Sequence, residues 1–331
     1  MTFARDLASF ADSASQNLTF RNKIINGDFN IWQRGTSFTN TANAGYTADR
    51  WLTNVGTGGT IVTSQQSFTP GTAPVAGYEA PFFLRLNRST TGSGTSYFVH
   101  RIEDVRTFAG QTVTLSFWAK ASSAYTFDAG DVYAYRNYGT GGSTAEGVGT
   151  FGAAILSTSW QRFSLTLNVP SVSGKTIGAS SYLEIAFSFP TSKSTFTIDL
   201  WGVQVEAGPA PTPFEIRPAQ TELALCQRYY YKTYSQAVVP ATTASYEGSR
   251  VINYNGTTIV RYSISYSTMR TAPTITVYNP ETGSTASIRS DNSTNVSLGG
   301  PYNIGDGGAF VDTTPPSGQY GRFQFVASAE L

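Results

Sequence analysis

The sequence predicts an all-β protein: a jelly-roll β-sandwich followed by a smaller C-terminal β domain, with a short N-terminal helix. The 331-residue chain contains 21 Phe, 19 Tyr and 5 Trp, and aromatic residues favour strands. Only 13% of the residues are charged, about half of the usual share. Segments in which apolar and polar residues alternate recur between Gly-, Ser- and Pro-rich turns, which is typical of a sandwich or jelly roll.

Charge and composition exclude several classes of protein. The net charge of +1 gives no reason to expect nucleic acid or an anionic membrane as a partner. The single cysteine, Cys226, cannot form an intramolecular disulfide, and we expect it to be a buried small hydrophobe. No apolar run reaches the roughly 18 residues that span a membrane. Asp6 and Asp12 interrupt the N-terminus, which therefore does not read as a secretory signal.

Residues 1–20 are predicted to contain a helix at 2–16, which Thr2 can cap. Apolar residues at spacings of four, three and four share one face of this helix, namely Phe3, Leu7, Phe10 and Ala14. A helix this short is marginal alone in water, so its apolar stripe should dock on something. It packs either on its own β domain, in a bundle that clamps three identical chains together, or in a larger assembly.

Residues 21–206 are predicted to form the jelly-roll domain. Alternation predicts strands at 83–87, 96–105, 112–120, 159–167, 183–189 and 196–205. We expect the glycine-rich segment 138–152 to be a loop or a distorted sheet edge.

Residues 207–228 are predicted to be a linker with a short helix. Proline at four positions makes an extended, stiff connection, namely Pro209, Pro211, Pro213 and Pro218. Residues 221–229 can then form one or two helical turns. Residues 229–331 again alternate and predict the C-terminal β domain. No short internal repeat indicates a solenoid or propeller.

Ten short motifs follow one another between residues 24 and 232. They are Ile24–Phe29, Ile31–Gly35, Tyr46–Trp51, Arg101–Asp104, Leu115–Lys120, Leu200–Gly208, Phe214–Glu215, Arg217–Pro218, Glu222–Leu223 and Cys226–Tyr230. In order and spacing this set resembles bacteriophage tail-fibre and receptor-binding proteins that carry a jelly-roll module like those of carbohydrate-binding modules. The resemblance does not cover residues 235–331.

The resemblance implies a homotrimeric virion appendage. A tail fibre is the kind of appendage expected first, and a neck, baseplate or capsid fibre is expected second. Its N-terminus would bind other virion proteins, and its distal part would bind a host-surface glycan or receptor. We expect the terminal, loop-rich C-terminal β domain to be the host-contact end. Two alternatives stay open: a purely structural virion protein without host binding, and a glycan-degrading depolymerase.

Glycan binding needs aromatic faces for the CH groups of sugars, beside amides and carboxylates for the hydroxyls. The candidate tyrosines in expected loops are Tyr133, Tyr135, Tyr138, Tyr246, Tyr254, Tyr302 and Tyr320. Most tyrosines of this chain should instead pack in cores, subunit contacts or sheet faces. The tryptophans at 32, 51, 118 and 201 are expected in the core.

The resemblance also implies a structural calcium site, because related sugar-binding modules commonly hold calcium between a Gly-Asp-Phe-Glu start and an aspartate near the last strand. The matching positions are Asp28, Asn30 and Asp199. Asn30 stands where a glutamate is usual, so one carboxylate ligand is missing. In the alternative reading Asp28 caps a turn, and Asp49 or Asp199 pairs with an arginine, Arg34 or Arg50. No other cofactor is expected.

Catalysis is not expected. His100 is the only histidine, and it lies in a predicted strand. The chain contains no zinc cluster, glycine-rich phosphate loop or nucleophile elbow. A carboxylate pair for glycoside hydrolysis stays open, because sequence does not show the separation that such chemistry requires. The candidates are Glu79, Glu103, Asp104, Asp128, Asp131, Glu146 and Glu184.

Overall fold

The computed structural model describes residues 20–41, 43–253, 260–285, 287–290, 295–313 and 320–331. Within these ranges the protein contains twenty-two β-strands and one helix, which confirms the predicted all-β fold class. No helix in the described part of the chain is long and apolar enough to cross a membrane. The predicted N-terminal helix, with Phe3, Leu7, Phe10 and Ala14, lies outside the described residues, as does Tyr254.

The chain divides into two compact units. Unit 1 contains residues 39–44 and 53–217 and the described residues before 29. Unit 2 contains residues 29–38, 45–52 and the described residues from 218 onwards. The sequence predicts one domain for residues 21–206, whereas residues 29–38 and 45–52 group with unit 2. Two of their side chains, Arg34 and Arg50, pair with Glu330 near the C-terminus.

Two six-stranded sheets form the sandwich. In spatial order the first consists of β1 (Ser37–Asn40), β4 (Thr60–Ser67), β5 (Phe82–Thr90), β14 (Phe196–Ala207), β7 (Thr112–Ala121) and β12 (Gln161–Asn168). The second consists of β10 (Glu146–Thr150), β9 (Val132–Asn137), β13 (Tyr182–Phe189), β6 (Ser96–Glu103), β3 (Trp51–Val55) and β2 (Asn43–Tyr46). A separate pair is formed by β8 (Tyr125–Phe127) and β11 (Ala154–Leu156).

The predicted strands match β5, β6, β7, β12, β13 and β14, with ends that differ by up to three residues. Consecutive strands cross between the sheets, since β5 and β7 belong to the first and β6 to the second. In β7 the alternate residues Leu115, Phe117 and Ala119 are fully buried in the core. The glycine-rich segment contains the edge strand β10, whose register shifts between Gly147 and Gly149, so it is the distorted edge of the prediction.

Unit 2 contains the helix α1 (Ala219–Gln227) and an eight-stranded sheet. The path of this sheet is β15 (Tyr230–Lys232), β22 (Tyr320–Ser328), β19 (Ser287–Ser290), β20 (Asn295–Tyr302), β21 (Gly308–Thr313) and β17 (Val260–Ser265). The strands β16 (Arg250–Asn253) and β18 (Thr274–Tyr278) also pair with β22. One apolar core fills this unit, with Ile264, Ile288 and Phe323 at its centre.

The four tryptophans at 32, 51, 118 and 201 are buried, as predicted, and so is Cys226. Trp118 and Trp201 lie on the outer face of the first sheet, where the rings of Phe83 and Phe214 pack beside them. The rings of Trp118 and Trp201 are therefore covered, whereas Trp160, which packs against the same cluster, is half-buried.

The segment that leads into the turn at residues 26–28 pairs with the end of β14. The Lys23 N–H donates to the carbonyl of Val205, and the Val203 N–H donates to the carbonyl of Gly27, at 3.0 and 2.9 Å. Asn22 completes the ladder, because its amide donates to the Val203 carbonyl and accepts from the Val205 N–H. At Gly27 a Cβ atom would lie 2.2 Å from the Val203 oxygen, so this close pairing requires glycine.

A buried ionic cluster fixes the C-terminus of unit 2. The Glu330 carboxylate accepts from Arg34 at 2.8 Å and also pairs with Arg50, whose side chain is 1% exposed. Asp49 lies 3.5 Å from Arg34, and this pair confirms the alternative that the sequence left open. The guanidinium of Arg50 also stacks on the ring of Tyr229, at 3.5 Å from its centroid, so the cation is held through an N–H group and through one face.

Substitution Gly27→Ala should lower the free energy of unfolding by about 2 kcal/mol or more, because the new methyl group meets the Val203 backbone, which has no room to yield. Thermal and urea unfolding followed by circular dichroism would measure this. Gly130→Ala is the matched control, since a Cβ there meets nothing within 4 Å. Equal stabilities of the two variants would contradict the close pairing.

Substitution Glu330→Gln should lower the free energy of unfolding of unit 2 by about 3 kcal/mol, because it removes the carboxylate from the buried guanidinium of Arg50 and the half-buried one of Arg34. Urea unfolding gives this value. In the control Asp312→Asn the pair with Arg261 is lost, but Arg261 is 69% exposed, so the change should be less than about 1 kcal/mol. A Glu330→Gln effect as small as that of the control would show that the cluster does not hold the C-terminus.

Candidate functional site

The outward face of the second sheet carries four tyrosines, Tyr97, Tyr133, Tyr135 and Tyr182, and we call it the tyrosine face. The antiparallel register of β9, β13 and β6 aligns its residues in rows across the strands. One row contains Asn137, Tyr182 and Glu103, and the next contains Tyr135, Glu184 and Arg101. Because strands lie about 4.8 Å apart, these side chains form one continuous surface.

The opposite side of the same strands faces the sandwich core. Phe98, Ile102, Leu183 and Ile185 alternate with the residues of the tyrosine face and are buried. Burial of this inner set fixes which residues point outward, since a shift of the register by one residue would exchange the two faces. The tyrosine face is therefore held by rigid strands.

An ion pair lies in the middle of the tyrosine face. The Nε of Arg101 donates to the Glu184 carboxylate at 2.9 Å, and the guanidinium lies 4.6 Å from the ring centroid of Tyr182. Both side chains remain partly accessible, at 23% for Arg101 and 13% for Glu184. The face thus offers a fixed donor and a fixed acceptor beside aromatic rings, the combination that sugar hydroxyls and CH groups need.

Two rings meet further along the face. The short side chains of Ala186 and Ser188 on β13 leave room between the flanking strands. Across this gap the rings of Tyr97 and Tyr133 pack edge to face, with centroids 6.4 Å apart. All four tyrosines of the face are half-buried, so each ring is held in place while part of it stays open to solvent.

Besides the central ion pair and the carboxyl group of Glu103, the polar groups of the face are hydroxyls and amides. Burial raises the pKa of the Tyr133 and Tyr182 hydroxyls above the ordinary value, so both keep their protons. The Asn137 amide donates to the Tyr182 hydroxyl at 3.4 Å. At the sheet edge, Gly147 is opposite Tyr135 and adds no side chain, which leaves that ring open on one side.

The sequence predicts Tyr133, Tyr135 and Tyr138 in a loop, and the structure corrects this. Tyr133 and Tyr135 lie in β9, where a period of two places both on the same face. Tyr138 is fully buried, and its hydroxyl donates to Glu146 at 2.6 Å, which removes it from the candidates. Tyr138 differs from Tyr133 and Tyr135 because, in the alternation of the strand, its position belongs to the inward side.

Of the other predicted tyrosines, Tyr246, Tyr302 and Tyr320 belong to unit 2, and Tyr254 lies outside the described residues. Tyr246 and Tyr320 are exposed. Tyr302 donates its hydroxyl to Asp312 at 2.8 Å and stacks with Phe310. We find no row of aromatic side chains around them like that on unit 1 among the residues that the structure describes.

The residues predicted for calcium lie in different settings. The Asp199 carboxylate takes a bidentate contact from Arg85, at 2.7 and 2.9 Å, with Lys120 at 3.6 Å. Asp28 is buried and Asn30 is half-buried. Within the described ranges, no three His, Cys, Asp or Glu side chains are grouped so that they could hold a metal ion. The arginine on Asp199 occupies the oxygens that a calcium ion would need.

The only histidine is part of the core. His100 is buried, and its Nε2 accepts a hydrogen bond from the Ile25 N–H at 3.1 Å. Several carboxylates from the hydrolysis candidates are engaged with cations: Glu184 with Arg101, Glu146 with Lys175, and Asp128 with Lys193.

Sequence reasoning missed most of the polar half of this site. Tyr97, Arg101 and Tyr182 are not among the predicted contact residues, although Tyr97 and Arg101 lie in a predicted strand and Tyr182 directly precedes one. Their outward positions could have been read from the alternation with Phe98, His100 and Leu183. What the sequence could not supply was the register that brings β6, β13 and β9 together.

No family model matches the chain, and no curated protein sequence matches it. Among solved structures, it is similar to the enzymatically active domain of tailspike protein 4 of bacteriophage CBA120, with 16% identity, a TM-score of 0.34 and coverage of 56% of this chain and 21% of that chain. It therefore spans about a fifth of the tailspike chain.

Two binding modules give similar values. The N-terminal cellulose-binding domain of Cellulomonas fimi β-1,4-glucanase C matches with 16% identity and a TM-score of 0.29, over 40% of this chain and 84% of that domain. A family 30 carbohydrate-binding module matches with 15% identity and a TM-score of 0.30, over 56% and 94%. At these TM-scores the structural similarity carries no information about the function of this protein.

Proposed function

We propose that this protein binds a surface glycan of a host cell through the tyrosine face, without cleaving it, as a tail-fibre component of a virion. The observation that carries the proposal is the set of four half-buried tyrosines around the Arg101–Glu184 pair on one rigid sheet face. Rings and polar groups that are already fixed lose little conformational freedom on binding, which favours affinity.

A sugar chain would lie across the rows of the face. Its CH groups would pack on the open rings of Tyr135 and Tyr133, and its hydroxyls would bind Arg101, Glu184 and Asn137. Tyr135 is the central ring in this arrangement, since Gly147 leaves its edge of the sheet uncovered. A sheet face presents its side chains in parallel rows, which suits an extended polysaccharide better than a single small sugar.

The assignment to a virion is supported by the ordered motifs between residues 24 and 232, which resemble those of phage fibre proteins. In this proposal three copies form a homotrimer, the N-terminus binds other virion proteins, and several weak glycan contacts add up to avidity. We place the glycan contact on unit 1 and not in the C-terminal β domain, because the aromatic and polar groups converge on unit 1.

A test is the binding of full-length protein to a panel of purified bacterial surface polysaccharides. Tyr135→Ala should weaken binding to the positive polysaccharide by about tenfold, which is about 1.4 kcal/mol, because a stacking ring is lost. Tyr135→Phe should keep most of the affinity, since it retains the ring. Tyr320→Ala, which removes a 50% exposed tyrosine of unit 2, is the control and should bind as the wild type does.

Three results would go against the proposal. Loss of binding in Tyr320→Ala but not in Tyr135→Ala would move recognition to the C-terminal domain. Folded wild-type protein that binds no polysaccharide would favour a purely structural virion protein. Release of new reducing ends from the polysaccharide would indicate a depolymerase and contradict binding without cleavage.

A further inference from the structure

Unit 1 contains a cavity of about 610 Å³ that shares no lining residue with the tyrosine face. It lies beside the end of β14 and the turn that follows β6, and the residues that matter here are Arg21, Lys23, Arg106, Phe108, Gln111 and Glu206. Its volume falls within the range of about 300–1,000 Å³ that is typical of small-molecule sites.

Three cations and a single carboxylate line this cavity, and the carboxylate is already satisfied. Glu206 is buried and accepts from the Thr212 N–H at 2.9 Å, from the Thr212 hydroxyl at 2.6 Å and from the Gln204 amide at 2.7 Å. Arg21 also lies 3.5 Å from it. The charge of Glu206 is thereby used within the protein, and it does not offset the remaining cations.

The other two cations keep donors available at the mouth. The Lys23 ammonium is exposed and donates to the neutral carbonyl of Phe20 at 3.0 Å, and no described residue gives it a carboxylate partner. Arg106 gives one terminal nitrogen to Asp104 at 2.8 Å, while its side chain is 63% exposed. Since a guanidinium has five N–H donors, most of those on Arg106 face solvent.

An apolar wall and a free amide complete the cavity. Phe108 lines the cavity and is buried, so packing against its neighbours holds its ring at the wall. Gln111 is exposed, and its side-chain amide makes no hydrogen bond with the described residues. A ligand that fits therefore combines an anionic group, a ring face and at least one hydroxyl.

We propose that this cavity binds an anionic saccharide unit, a sugar ring that carries a carboxylate or a phosphate. The anion lies between Lys23 and Arg106, where charge-assisted hydrogen bonds form. The ring packs beside Phe108, and a hydroxyl binds the Gln111 amide. This site goes beyond the proposed function, since it shares no residue with the tyrosine face and binds an anionic group through Lys23 and Arg106.

The test is isothermal titration of full-length protein at low ionic strength with three probes: glucuronic acid, glucose 6-phosphate and neutral glucose. Both acids should bind at least tenfold more tightly than glucose, and their affinity should fall as NaCl is added. The two acids distinguish a carboxylate ligand from a phosphate ligand, because the tighter of them identifies the preferred anion.

A matched pair of double variants tests the location. Lys23→Gln with Arg106→Gln should weaken the binding of the better acid by about tenfold, which is the effect of two half-exposed charge contacts. Lys175→Gln with Arg261→Gln removes the same net charge from other exposed ion pairs and should leave the affinity unchanged. Because all four residues lie at the surface, each variant should fold, and thermal unfolding checks this.

The outcome also separates this site from the tyrosine face. Tyr135→Ala should leave the binding of the acids unchanged, whether or not it weakens binding to polysaccharide. The proposal is wrong if Tyr135→Ala abolishes acid binding, if glucose binds as well as the acids, or if the two double variants behave alike. The proposal is also wrong if neither acid gives a heat of binding at concentrations up to about 10 mM.

Discussion

The antiparallel register of β9, β13 and β6 is the constraint on which the rest of the molecule's surface chemistry depends. Side chains in a strand alternate between two faces, so burial of Phe98, Leu183 and Ile185 in the core determines that the tyrosines face outward. The core thus stabilises the fold and orders the site by the same contacts. A slip of one residue in β13 would bury Glu184 and expose Leu183, which would cost both stability and the site.

Three carboxylates with little exposed surface follow a second rule, since the fold supplies directed donors to each of them. Asp199 receives the two nitrogens of Arg85, Glu206 receives Thr212 and Gln204, and Glu330 receives two arginines. The free-energy cost of removing water from a buried ion is offset only by such directed contacts. The low charge content of the chain agrees with this, because nearly every buried ion needs its own set of partners.

The two proposed sites divide recognition between stacking and charge. The tyrosine face offers rings and one neutralised ion pair, which suits the CH groups and hydroxyls of a neutral chain. The cavity near Lys23 and Arg106 offers cations whose protein partners are a backbone carbonyl and a single exposed carboxylate. A glycan with both neutral and acidic units would engage both sites of one chain, and a trimer would multiply these contacts.

The sequence by itself determined the all-β class, six strands of the sandwich, the distorted glycine-rich edge and the burial of the tryptophans, because alternation and composition are local signals. It also indicated Tyr133 and Tyr135, although as loop residues. The tertiary structure alone decided that Tyr97, Arg101, Tyr182 and Glu184 join them, since these residues come from strands far apart in the chain. It likewise decided that Asp199 pairs with Arg85 and Glu330 with Arg50. Such choices depend on which strands become neighbours, and that is settled by packing of the whole core.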